Sequence, residues 1–278
     1  MCPDAPATRH GAPSSDMAAT CALKRTTRFE VAPGGVPVAS TNGYSANPAC
    51  EGLGAYFEAT VECRGEPQSS TGMVENIYRL DTLVRAHLAP RLAAALAPHG
   101  MNAQAVLADF LNDLPSDAPC IESIELKLNP RCSVKMHTKT MQHVLLSHRW
   151  QFAASHRLHN PELDDATNES TFGKCCRPSG HGHNYWIEID VVALIDGPFN
   201  RHIMDSIVDM TIINRFDHRN LNVDCAEFAH RMSTVENITI VCHDLLQGPI
   251  ASAGGELQQV RVWETEKTWA AYPCEKST

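Results

Sequence analysis

The chain has 278 residues, 43% of them hydrophobic and 20% charged, with a formal net charge of −9; this is room for two ordinary domains in the composition range of folded, soluble proteins. The negative balance excludes a broad nucleic-acid-binding face, which needs clustered Lys and Arg to displace counterions, and no apolar run reaches the roughly 18 to 20 residues that cross a bilayer. Eleven cysteines, an odd number behind a start with no basic-then-apolar leader, read as reduced thiols in a cytosolic protein rather than as a disulfide framework.

Residues 1–20 are rich in Ala, Pro, Ser and Gly without periodicity and read as a flexible tail. Residues 52–63 combine a glycine-containing turn with an alternating strand, 72–81 open a helical pattern, 103–114 give a second helix, and 121–128 with 133–136 give a strand pair. After a strand at 150–155 the same order returns. Residues 180–191 repeat the glycine spacing and alternation of 52–63 without a gap; helices follow at 203–210 and 235–246, then strands at 257–263 and 268–272. Strand, strand, helix, helix, strand, strand therefore occurs twice. The prediction is an α+β fold of two tandem units, 21–138 and 139–278, each an antiparallel four-stranded sheet with two helices on one face. Open sheet edges are usually paired or covered, so association into a larger β-barrel is expected.

The chemistry gathers in the second unit. His181 and His183 flank one glycine in an extended segment, where residues two apart share a side, so both imidazoles can reach one ion. His156 closes the strand at 150–155 and stands beside them if the two strands form a hairpin. Three histidines with the fourth tetrahedral position open form the ligand set of a catalytic zinc. Cys175 lies in a turn-rich stretch leading into these ligands, where Lys174, Arg177 and a nearby dication favour the thiolate, the form that acts as base or nucleophile. Cys176 competes for that role, and either thiol could instead bind the metal. Asp217 beside His218 can fix its tautomer and raise its basicity, making a proton-shuttle pair. Glu264, just after the strand at 257–263, can accept two hydrogen bonds from an amino group and an adjacent ring N–H, the edge pattern of a pterin or guanine. Residues 233–236 are a capping sequence that also offers Ser233, Thr234 and exposed helix N–H groups to a ligand.

Together, Phe152-Ala-Ala-Ser-His156, the stretch 175–183 with Asn184-Tyr185, Phe216-Asp-His-Arg-Asn-Leu221, Ser233-Thr-Val-Glu-Asn237 and Val262-Trp-Glu-Thr265 resemble, in order, the motifs of the 6-pyruvoyl-tetrahydropterin synthase family. The resemblance runs over residues 150–272. It implies the tunnelling fold (T-fold), in which sheets of several units close a barrel with active sites at unit interfaces. It implies a lyase of tetrahydrobiopterin biosynthesis that eliminates triphosphate from 7,8-dihydroneopterin triphosphate. By that resemblance His156, His181 and His183 hold zinc, Cys175 removes a proton, Asp217 and His218 relay it, and Glu264, which also joins the catalytic set, anchors the pterin with Thr234 and Ser233.

The 6-carboxy-tetrahydropterin synthases of queuosine biosynthesis are an alternative, but there the cysteine stands closer to the His-x-His, where this chain has Arg177. A catalytically silent zinc- and pterin-binding scaffold and a cyclohydrolase acting on GTP are further rivals. In the first unit, Leu53 and Ala55 stand where His181 and His183 do, Leu128 stands opposite Glu264, and no Asp-His pair follows the first helix. That unit is expected to be a degenerate copy that builds the barrel, with three tandem chains making a homo-oligomer of six units.

Overall fold

The computed structural model describes residues 20–32, 54–98 and 100–274. The predicted tail, apart from Thr20, and the positions Gly52 and Leu53 used to align the two halves lie outside the described residues. Nine strands make one sheet whose order follows the chain, β1-β2-β3-β4-β5-β6-β8-β9, with the two-residue β7 added beside β5. Every pairing is antiparallel except β5 with β7.

β1 (Cys21–Val31), a strand that the apolar pattern does not delimit, pairs with β2 (Ala55–Gly65) along its whole length. Helices α1 (Ile77–Leu83), α2 (Ala89–Ala95) and α3 (Ala103–Asn112) lead to β3 (Ile121–Asn129) and β4 (Cys132–His137). β5 (His143–His156) and β6 (His181–Leu194) then form a long hairpin-like pair, with α4 (Asp165–Phe172) in their connection. After β6 come α5 (Arg201–Val208), α6 (Asn214–Phe216), β7 (Arg219–Asn220), α7 (Leu221–Asp224) and α8 (Val235–Ser252). β8 (Gly255–Thr265) and β9 (Thr268–Tyr272) complete the chain.

The two halves are continuous, because β4 pairs with β5 from Cys132↔His148 to Lys135↔Leu145. Among the described residues the sheet stays open, with β1 at one edge and β9 at the other. The face that carries the helices is apolar. Along β6 the alternate residues Tyr185, Ile187, Ile189 and Val191 are fully buried there, together with Val260 and Val262 of β8. The intervening residues Glu188 and Asp190 face the other side, where Arg149 and Arg261 meet them in ion pairs. Pleating alone separates these sets, since successive side chains in a strand point to opposite faces. Among the described residues no helix is long and apolar enough to cross a membrane.

Candidate active and metal site

The end of the β5–β6 pair brings the three histidines together. His156 is the last residue of β5 and His181 the first of β6; they stand directly opposite each other, and His183 stands opposite Ala154. All three therefore lie on the helix-bearing face. The turn before β6 depends on Gly180, which has φ +64 and whose position would put a Cβ only 2.7 Å from the His156 carbonyl oxygen. Any other residue there would push the β6 end away from His156.

The ring centroids are 4.5 Å apart for His156 and His181, 5.2 Å for His156 and His183, and 4.8 Å for His181 and His183. Nε2 of His156 lies 3.1 Å from Nε2 of His181. Glu264, at the end of β8, adds Oε1 at 3.2 Å from His156 Nε2 and 3.4 Å from His183 Nε2. One ligand atom from each of the four lies within 4.8 Å of the others, the one such group of three or more among the described residues.

His156 is fully buried, and its Nδ1 is 2.7 Å from the Ser233 carbonyl. Since a carbonyl only accepts, Nδ1 carries the proton, and in the neutral ring Nε2 presents its lone pair to the cluster. Burial lowers the His181 and His183 pKa values below the ordinary imidazole range, with neighbouring histidines adding to the effect and Glu264 opposing it. Neutral imidazoles are the ligating form. The contact with His156 holds the Glu264 carboxyl below its usual range when that ring is protonated at Nε2 as well; burial opposes this, and His183, His156 and His181 assist when they carry a charge. The residues fit a divalent ion. His183 Nε2 is buried without a hydrogen-bond partner, and three imidazoles with one position left open are donors that suit zinc.

Cys175 lies in the one-turn segment Gly173–Cys176. Its carbonyl accepts from Leu158 N at 2.9 Å, and the Cys176 carbonyl accepts from Arg157 Nε at 2.8 Å, tying the thiol segment to the residues just after His156. Burial pushes the Cys175 pKa up, and the charges of Glu264 and Cys176 add to it.

Asp217 and His218 sit at the other side of the β5 end. Asp217 Oδ1 accepts from Ala153 N at 2.8 Å, the first cause of its lowered pKa, and Oδ2 lies 2.7 Å from His218 Nδ1. His218 has φ +57, and its N–H donates to the Ala153 carbonyl. A cleft of about 460 Å³ is lined by both His183 and His218, with Ser155, Gly182, Asn184 and Arg219.

Ser233 and Thr234 are placed differently from each other. Ser233 is fully buried; its carbonyl takes the His156 proton, and its hydroxyl donates to Asn222 Oδ1 at 3.3 Å, an atom that also accepts from Arg157 N at 2.7 Å. Thr234, not Ser233, is the N-cap of α8, accepting from Asn237 N at 3.4 Å. Sequence reasoning assigned no role to Asn222, Arg157 or Tyr185. Tyr185 alone had a signal, since it continues the two-residue period of His181 and His183.

The family profile described as 6-pyruvoyl tetrahydropterin synthase matches residues 145–275. The human 6-pyruvoyl tetrahydrobiopterin synthase is 37% identical over 135 residues, which are 47% of this chain and 91% of the human protein. The chain belongs to the 6-pyruvoyl tetrahydropterin synthase family. A Drosophila melanogaster member is likewise 37% identical over 131 residues, covering 46% of this chain and 77% of its own length. The solved structure of the Caenorhabditis elegans 6-pyruvoyl tetrahydropterin synthase has 30% identity and a TM-score of 0.42, over 48% of this chain and 96% of that one. The family segment contains every residue of the cluster and the whole β5–β6 pair from Leu145 onward.

Proposed function

We propose that this chain is a zinc-dependent lyase of the 6-pyruvoyl-tetrahydropterin synthase type, acting on 7,8-dihydroneopterin triphosphate in tetrahydrobiopterin biosynthesis. The convergence of His156, His181, His183 and Glu264 within 4.8 Å, inside the family segment, carries this reading. The three histidines would hold the ion, which when bound supplies Lewis acidity toward the hydroxyl oxygens of the substrate side chain.

The chain's own groups do the rest. Glu264 accepts the N–H donors along the pterin edge, and Thr234 at the head of α8 joins it in anchoring the ring. Cys175 takes a proton from the side-chain carbon as triphosphate leaves, and Asp217 with His218 relays protons across the cleft shared with His183. Cys175 acts as a base once its own proton is lost. The backbone ties through Arg157 and Leu158 keep it beside the cluster while that happens.

Purified protein incubated with dihydroneopterin triphosphate is expected to release triphosphate and give the 6-pyruvoyl product by mass spectrometry. A 6-carboxy product instead would move the chain to the queuosine branch, and no product at all would leave only a pterin-binding role.

A further inference from the structure

Tyr185 is a fully buried side chain at the heart of the cluster whose hydroxyl has no structural use. It follows His183 by two residues on β6 and so shares its face. Its ring centroid is 5.5 Å from that of His183 and 6.1 Å from that of His156. Phe152 stacks on it at 5.2 Å with the planes 17° apart, so the phenol cannot swing to find a partner elsewhere. The hydroxyl forms no hydrogen bond, yet Glu264 and Cys175 are close enough for their charges to act on it. A buried donor left unmade is a standing cost to folding. A locked, desolvated donor beside a reacting centre is also what stabilises charge that appears only during a reaction.

We propose that Tyr185 is a further catalytic residue: its hydroxyl donates a hydrogen bond to an oxygen of the substrate side chain as negative charge develops there. It keeps its own proton throughout, so no bond to hydrogen is made or broken at the phenol. Neutral tyrosine is suited to this, being a donor that needs no deprotonation, and the imidazoles beside it are committed to the ion. The inference rests on the pterin-synthase reading above and adds a contact to the substrate side chain.

The test is Tyr185→Phe, which removes one oxygen and keeps the ring and its stacking. With dihydroneopterin triphosphate as substrate, kcat is expected to fall about 100- to 1,000-fold, the usual effect of losing one donor to a developing oxyanion. Zinc content should match the parent, and the melting temperature should be equal or higher, because an unmet polar group has been removed. An unchanged kcat overturns the proposal, as does a rise in KM alone. A lower melting temperature with unchanged kcat would make the hydroxyl structural, and loss of zinc would make its action indirect; either also overturns it. A parent protein that turns over nothing rejects the pterin-synthase reading itself, and the inference falls with it.

Discussion

His181 and His183 illustrate how much a two-residue spacing can say and where it stops. Strand pleating puts both imidazoles on one side, so a shared ion is legible in the sequence; that His156 stands directly opposite His181 requires the β5–β6 register. If these rings hold zinc, His181→Ala should lose affinity by more than the roughly 10- to 100-fold that removal of a group merely supporting a ligand costs. Cys175→Ala should keep the metal. Metal analysis of the two variants decides it, and zinc retained in His181→Ala removes the site. Glu264 was less legible. The sequence places a carboxylate after an apolar strand and suggests a pterin edge, but only the packing of β8 against β6 shows Oε1 among the imidazoles. Cys175 was legible as lying in the turn-rich stretch before β6, whereas its proximity to Glu264 depends on the fold.

At the level of elements, the apolar alternation located β2, β6, β8 and β9 well, since each has one buried face. β1 escaped because Leu23 is the one large apolar side chain among its first six residues, Cys21 to Thr26, and the strand is held by pairing with β2, by charges across strands and by Phe29 and Val31 in the core. β5 extends seven residues upstream of the predicted strand at 150–155, to His143, held there by its register with β6. α8 runs past Gly248 and Pro249 to Ser252, where a sequence reading stops; Ile250 is fully buried and so holds that last turn to the sheet.

Cross-strand charges make a testable contribution of their own. Glu62 on β2 lies 3.5 Å from Lys24 of β1 and 3.5 Å from Lys135 of β4. Burial pushes its pKa up, but Lys135 and Lys24 outweigh that, and the folded carboxyl titrates below its ordinary value. A carboxyl whose folded pKa is depressed stabilises the fold above its unfolded pKa, about 4.3, and loses that contribution as pH falls through the folded value. Melting temperature should therefore fall more steeply below pH ~4.3 in the parent than in Glu62→Gln. Parallel slopes for the two proteins would show that the cluster contributes nothing to folding.

For the whole molecule, the question is what covers the two ends of the sheet. Among the described residues β1 has eleven residues and β9 five with no further strand beside them, and exposed edges of this kind invite pairing with another chain. The face opposite the helices is lined by ion-paired charges at Glu58, Glu62, Glu188 and Asp190 rather than by an apolar surface that a second layer would cover. We propose that the charged face turns inward as further copies meet edge to edge. In the tandem reading each chain supplies two units, residues 21–138 and 139–278, so a barrel set that needs six units needs three chains. The first unit then contributes edges and walls while His156, His181 and His183 of the second carry the chemistry, giving one site per chain. Light scattering on the purified protein is expected to give a mass of three chains or a multiple of three. A charge added at an exposed position of the β1 edge, as in Ala22→Asp, should shift that mass toward the single chain without altering the zinc bound per chain. A stable monomer in the parent would mean that β1 and β9 are capped within the chain and that the active site is complete in one copy.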